Sequence, residues 1–397
     1  MTRNPRLPAA EWTQRESLAA LVRAIGAGNI RWVGGAVRDT LAGRPVADVD
    51  AATPLPPNEI MRRLKDAGIR CVPTGIEHGT VTAIFDDGNV EITTLRRDVS
   101  TDGRRATVEY SDDWREDAAR RDFTINALYA DPETLELHDY FGGLEDLETG
   151  RVRFIGDPRD RIREDHLRIL RYYRFQTRYG SALDPEAEEA CAALAPTMKG
   201  LSRERVGWEL QLLLSLPDPA PTVSRMHENG VLGEVLPETG TEGVKALAAL
   251  VAGEKDQQVA GDPVRRLAAL LPADPAAAAQ VAARLRLSNA QKKRLVTSAG
   301  RKGEAADEAG DPRVLAYRLG RTGAIDRMLL SGSSIAPLDG WDIPELPLKG
   351  GEIVARGVDA GPEVARILRA VENRWLAEGF PGRSRVEEIL AEELAKG

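Results

Sequence analysis

Cysteine is almost missing: Cys71 and Cys191 are the only two in 397 residues. Two such distant thiols make neither a disulfide framework nor a zinc motif, so a reducing, cytoplasmic setting is expected. Histidine is nearly as scarce. His78, His138, His166 and His227 lie far apart, and no histidine-built metal centre of the HD phosphohydrolase kind is expected from them. Long apolar runs are absent too: none approaches the ~20 residues of a membrane span. The opening Met1-Thr2-Arg3-Asn4-Pro5 has no apolar core of a secretion signal. Two phosphate-binding motifs are also missing. Without Gly-x-Gly-x-x-Gly a Rossmann nucleotide site is excluded, and without Gly-Lys-Ser/Thr a P-loop is excluded.

What remains is a long, charged, ordinary-looking chain. Its length suits two or more compact units, each with a core of its own. The formal charge of −8 argues at first against a nucleic-acid partner, but local patches decide such binding. Between residues 151 and 178 stand nine arginines against Asp157, Asp160, Glu164 and Asp165. A solvated helix face is the plain alternative. Against it, the arginines recur at helical spacing beside Tyr172, Tyr173 and Phe175.

Short strands and helices mix over residues 31–150. Residues 31–33 read as a buried strand, 36–41 as a helix stopped by Gly43, and 58–67 as an amphipathic helix. Residues 80–85 and 89–95 suggest a hairpin turning at Asp86-Asp87-Gly88. Residues 98–105 are charged, contain Gly103 and show no apolar periodicity, so a mobile loop is expected. Beyond residue 159 strand signals vanish and helical periodicity takes over. Residues 300–312 read as a linker or loop.

Gly34-Gly35-Ala36-Val37-Arg38-Asp39 is followed by Asp48-Val49-Asp50. Glycines let backbone approach a phosphate, and the start of the next helix favours anions. Arg38, one turn in, could reach the same phosphates. On a strand, residues two apart share a face, so Asp48 and Asp50 can serve one metal cluster. Such hard carboxylates suit the magnesium that accompanies a triphosphate, where the cation activates a hydroxyl and steadies the leaving pyrophosphate. Glu91, flanked by Val90 and Ile92, is a candidate third ligand; an exposed strand residue is its alternative. Each motif alone is weak, since glycine pairs often serve as turns and Asp-x-Asp as loops. Together they point to nucleotidyl transfer.

In Glu164-Asp165-His166-Leu167-Arg168, Asp165 and Arg168 at i and i+3 are expected to be neighbours on one helix face. An intrahelical ion pair, worth a few tenths of a kcal/mol, is the plain reading. A nucleobase offers another. The carboxylate accepts from an exocyclic amine and the guanidinium donates to a ring nitrogen, as cytosine and adenine both allow. Uracil and guanine present the opposite pattern, leaving both groups mismatched. Arg171 and Arg174 follow at three-residue steps, suited to phosphate or ribose.

On these residues the chain resembles the class II tRNA nucleotidyltransferases, the CCA-adding enzymes, close kin of bacterial poly(A) polymerases. Residues 34–39 with Asp48-Val49-Asp50 are similar to the family's catalytic motif. Arg120-Arg121-Asp122-Phe123-Thr124-Ile125-Asn126-Ala127 is similar to the motif joining head to neck. Residues 164–168 resemble the protein template for the incoming base, and Ser202-Arg203-Glu204-Arg205-Val206 with Glu209 resembles the motif supporting it. The resemblance implies an α+β fold, a small nucleotidyltransferase α/β head (1–150) followed by an all-helical neck (151–215), body (216–300) and tail (301–397). It implies Mg²⁺-dependent addition of CCA to tRNA from CTP and ATP. Asp48, Asp50 and Glu91 would be catalytic, and Gly34, Gly35, Arg38, Arg121, Asp122, Asn126, Asp165, Arg168, Arg171 and Arg174 nucleotide-binding. The tRNA would be held at its acceptor end and elbow. Leu287-Ser288-Asn289-Ala290 with Lys292-Lys293-Arg294, and the helix opened by Gly361-Pro362, are candidate tRNA contacts, with plain helix caps as the alternative. A poly(A) polymerase and a catalytically silent RNA-binding relative are the competing readings.

Overall fold

In the computed structural model, residues 5–102, 105–300 and 310–396 are described, without the side chains of 98–108. The chain divides into two compact units, 1–237 and 238–397. The first opens with helix α1 (Glu16–Ile25), strand β1 (Arg31–Val33) and helix α2 (Gly35–Leu41). Strand β2 (Val49–Thr53), helix α3 (Pro57–Asp66) and strands β3 (Cys71–Gly75), β4 (Thr80–Ala83) and β5 (Val90–Thr94) follow. Then come β6 (Arg96–Asp102), β7 (Arg105–Tyr110), α4 (Trp114–Ala119), β8 (Leu128–Ala130) and β9 (Leu137–Asp139). A seven-stranded sheet runs β3-β4-β5-β2-β1-β8-β9, and β6 pairs with β7 in a separate ribbon.

Alternation along the central strands gives the sheet two different faces. Val49 and Ala51 of β2, Val90 and Ile92 of β5 and Val81 of β4 lie in one buried cluster with Leu18 and Leu21 of α1 and Ile60 and Leu64 of α3. The residues between them, Asp50 and Glu91, therefore take the other face. The amphipathic α3 forms here because its apolar positions recur at helical spacing, and Pro57 at its first turn gives up an N–H that the helix would not use.

One expectation is corrected. Residues 98–102 and 105 are not a mobile loop: Asp98↔Val108 through Asp102↔Arg105 are antiparallel partners. Backbone pairing needs only extended chain, which Val99, Thr101, Thr107 and Val108 favour, and it leaves no apolar period in the sequence. Gly103 and Arg104 lie outside the described residues.

Helices α5 (Gly143–Glu148), α6 (Pro158–Glu164), α7 (Arg168–Tyr179), α8 (Pro185–Leu194) and α9 (Arg203–Leu214) complete most of the first unit. Phe123, Phe154, Tyr172 and Phe175 form a ring cluster that packs α7 against the end of the head segment. Among its described residues the second unit has helices joined by loops and no strand. At its centre Arg265 binds Glu254 and Asp326, and Arg266 binds Glu254, all deeply buried. Arg294 joins that network through Asp326 and Asp262. This corrects its reading as part of a basic cluster for phosphate, because a guanidinium held by two carboxylates is already neutralised. Ser288 and Gln291 form a reciprocal capping box. The expected linker lies mostly outside the described residues, at 301–309.

Candidate active site

Register assembles the first half of the site. Val33, the last residue of β1, is the antiparallel partner of Asp50, and Asp50 is the parallel partner of Glu91. The glycine turn after β1 therefore leaves the sheet beside Asp50 of β2. Asp48 is exposed just ahead of that strand and Asp50 is half-buried within it. Burial pushes the Asp50 carboxyl up to about 6; Glu91 and Asp48 add to the rise, against Arg121 and Arg38. Concentrated negative charge of this kind suits a hard cation. Among the described residues no three His, Cys, Asp or Glu side chains converge on a point that could hold a metal. Asp48 and Asp50 thus stand as a pair, with Glu91 as the register neighbour of Asp50.

Gly34 turns the chain into α2 with φ +68°. A β-carbon there would lie 3.4 Å from an Arg121 guanidinium nitrogen. Gly34→Ala is accordingly expected to destabilise the protein by about 1–3 kcal/mol, measured by urea unfolding. An unchanged midpoint would mean the turn is not strained. Behind the turn, Arg38 is largely buried. Its Nε donates to Asp39 Oδ1 at 2.9 Å and its Nη1 to Asn126 Oδ1, and the Phe175 and Tyr179 rings lie against it. Asn126 Nδ2 donates to Asp122 Oδ1 at 2.9 Å, and Asp122 Oδ2 accepts from Arg171 Nε at 2.7 Å. Burial raises the Asp122 pKa, but Arg171 and Asn126 outweigh that and hold it at about 2. Arg171 and Arg174 both meet Glu209 of α9. These two arginines, expected to face phosphate or ribose, are thus bound to protein carboxylates, and Arg38 is similarly engaged. They fix the wall of the site.

Asp117 was not singled out in the sequence, where it is one acid in an acidic helix. Its Oδ2 accepts from Tyr129 OH at 2.7 Å and Arg121 Nη2 at 3.2 Å, and its Oδ1 from Arg120 Nε at 2.9 Å. Burial pushes its carboxyl up, yet Arg121, Arg120 and the Tyr129 hydroxyl bring it down to about 2. A depressed carboxyl stabilises the fold above its unfolded pKa near 4 and loses that stabilisation as pH falls toward 2. Asp117→Asn is expected to cost about 2 kcal/mol at pH 7. That gap should narrow between pH 4 and pH 2.5 in urea titrations; a pH-independent gap would count against the assignment.

The Glu164–Arg168 segment departs from expectation. Asp165 and Arg168 do not share a helix face. The chain breaks between α6 and α7, and Asp165 is extended, φ −151° and ψ 105°. Its Oδ1 accepts the Leu167 amide at 3.1 Å and its Oδ2 accepts Arg205 Nη2 at 2.6 Å. Arg168 is held elsewhere: Nη1 donates to Glu164 and, at 2.7 Å, to the Arg161 carbonyl. The break arises because Asp165 binds a backbone amide two residues on, a local bond that competes with helix. It also removes the simple ion pair, since each group is held by other partners.

A seven-stranded head with paired aspartates beside a glycine turn, joined to helices rich in fixed arginines, is the make-up of a template-independent nucleotidyltransferase. Comparison with known proteins agrees. Residues 30–153 match the poly A polymerase head domain, and residues 181–241 match the probable RNA and SrmB-binding site of polymerase A. The human mitochondrial CCA tRNA nucleotidyltransferase 1 is 34% identical over 374 residues, covering 88% of this chain and 83% of that protein. A CCA-adding enzyme of Streptococcus pneumoniae is 44% identical over 188 residues, 47% of this chain and 46% of its own. The crystal structure of the Bacillus stearothermophilus CCA-adding enzyme in complex with CTP superposes with a TM-score of 0.77 at 24% identity, covering 98% of this chain and 99% of that one. The chain belongs to the CCA tRNA nucleotidyltransferase family.

Proposed function

We propose that this protein completes tRNA 3′ ends by adding C, C and A from CTP and ATP, without a nucleic-acid template, releasing pyrophosphate. Asp50 carries the proposal. Its strand register joins it to the glycine turn on one side and to Glu91 on the other, and burial first, then the charges of Glu91 and Asp48, raise its pKa. Asp48 and Asp50 would hold Mg²⁺, with Glu91 as a further candidate ligand. The cation would polarise the phosphate and activate the attacking hydroxyl. Gly34 and Gly35 would leave room for the triphosphate, Arg38, Arg121, Asp122 and Asn126 would order ribose and phosphate, and Asp165 and Arg168 would read the base. Arg171 and Arg174 would support that reading through Asp122 and Glu209. The division into head, neck, body and tail is proposed on the same family likeness, as are acceptor-end and elbow contacts with the tRNA. A Thermotoga maritima CCA-adding enzyme has been seen complexed with tRNA. We place the protein in the cytoplasm because Cys71 and Cys191 are free thiols; no described helix is long and apolar enough to cross a membrane.

The test is direct. Purified protein is incubated with tRNA lacking its 3′ end, Mg²⁺, CTP and ATP, and products are sized on a sequencing gel. Growth by three nucleotides followed by arrest is expected. A long ladder with ATP alone would replace the proposal with poly(A) polymerase, and no extension would favour a silent RNA-binding relative.

A further inference from the structure

Helix α9 has two faces. Val206, Leu210, Leu213 and Leu214 are buried and Glu209 points inward to Arg171 and Arg174. On the opposite side Trp208 is 63% exposed. An indole left in water on a helix with an apolar interior is not there for the core, which Val206 and Leu210 already supply. Its position along the helix is informative. Arg205 lies three residues earlier, so the two side chains neighbour each other on one face, about 5–6 Å apart at Cβ. Arg205 is the residue that holds Asp165 at 2.6 Å. Trp208 therefore stands one helical turn along α9 from the arginine that holds Asp165, and is exposed to solvent. It also falls within the segment 181–241 that matches a probable RNA-binding region.

We propose that Trp208 is a stacking platform for a nucleobase of the single-stranded RNA 3′ end, placed so that the strand's last bases lie beside the pocket that reads the incoming nucleotide. Every base presents a flat π-face, so an exposed indole holds successive bases without regard to their identity. Such a contact tolerates the change of 3′-terminal base that each addition brings, which a hydrogen-bonding side chain would not. The proposal rests on the function given above and adds to it a residue that positions primer rather than nucleotide.

Intrinsic fluorescence and steady-state kinetics of the full-length protein test it. Titration with tRNA lacking its 3′ CCA is expected to quench tryptophan emission, and Trp208→Phe to remove most of that quench. CTP alone should cause no quench that Trp208→Phe removes. Trp208→Ala is expected to raise KM for the tRNA about tenfold, with kcat and KM for CTP within twofold of wild type; Trp208→Phe should recover part of the loss. Quenching by CTP alone that Trp208→Phe removes would assign the indole to the incoming base and overturn the proposal. Unchanged tRNA KM in an active Trp208→Ala would overturn it too, leaving a surface for a protein partner. If the wild-type protein itself fails to extend tRNA, the proposed function falls, and the fluorescence titration alone decides on Trp208.

Discussion

Replacing Asp50 by alanine is expected to abolish incorporation of both nucleotides, by about a thousandfold or more, while the protein stays folded and still binds tRNA. The magnitude follows from the several kcal/mol that a correctly held metal ion contributes to charge stabilisation in phosphoryl transfer. The site should be better folded without this side chain. Burial and the neighbouring Glu91 and Asp48 disfavour ionised Asp50, and a raised carboxyl pKa means that the native state is strained above it. In metal-free buffer at pH 8, Asp50→Ala is therefore expected to melt above wild type, whereas a merely structural aspartate would melt below. Single-turnover extension and thermal melting together decide the matter. Retained activity would sink the metal assignment, and a lower melting temperature would sink the account of strain. Asp48→Ala should abolish incorporation as well, but with a smaller thermal effect, because Asp48 is exposed.

The second large effect concerns which base enters. Arg168→Ala is expected to lower discrimination between CTP and UTP by about 30- to 100-fold, since rejection rests on leaving buried groups unpaired and each such mismatch costs roughly 2–3 kcal/mol. The variant also frees Glu164 and the Arg161 carbonyl from their donor, so a smaller, uniform loss of kcat should accompany it. The diagnostic readout is the ratio of kcat/KM for the two nucleotides, which general loosening would not change. Arg205→Ala offers a complementary test: Asp165 would lose its 2.6 Å anchor and selectivity should fall while Arg168 stays in place. An unaltered ratio in both variants would remove base selection from this segment.

Individual residues show which features can be read in the sequence. The strand at Val33, the glycine turn and Asp50 on β2 are local features with short periods, and the structure has them where the pattern puts them, whereas Asp48, expected on the same strand face, lies exposed just ahead of the strand. The β4–β5 hairpin likewise follows from its turn residues. The ribbon of β6 and β7 was missed because backbone pairing of two polar segments leaves no apolar signature. The kink at Asp165 was missed for another reason: helical periodicity starts directly beyond it, at Leu167 and Leu170, while one side-chain bond to the Leu167 amide interrupts the backbone. Asp117 carried no signal, since its importance lies in converging on Arg121, Arg120 and Tyr129 from different elements.

The sequence by itself determined the chemistry available: paired carboxylates two residues apart, a glycine turn ahead of a helix, and arginines spaced along α7. Those depend on residue type and on the fixed geometry of one strand or one helix turn. Tertiary structure alone decided the partners. That Asp50 stands opposite Glu91 is a matter of parallel register between strands forty residues apart. That Arg171 of α7 meets Asp122, and that Arg205 of α9 rather than Arg168 holds Asp165, follows from how these helices pack against the non-helical segments carrying the two aspartates. A guanidinium reaches several ångströms in any direction, so only the packing around it selects which carboxylate it neutralises.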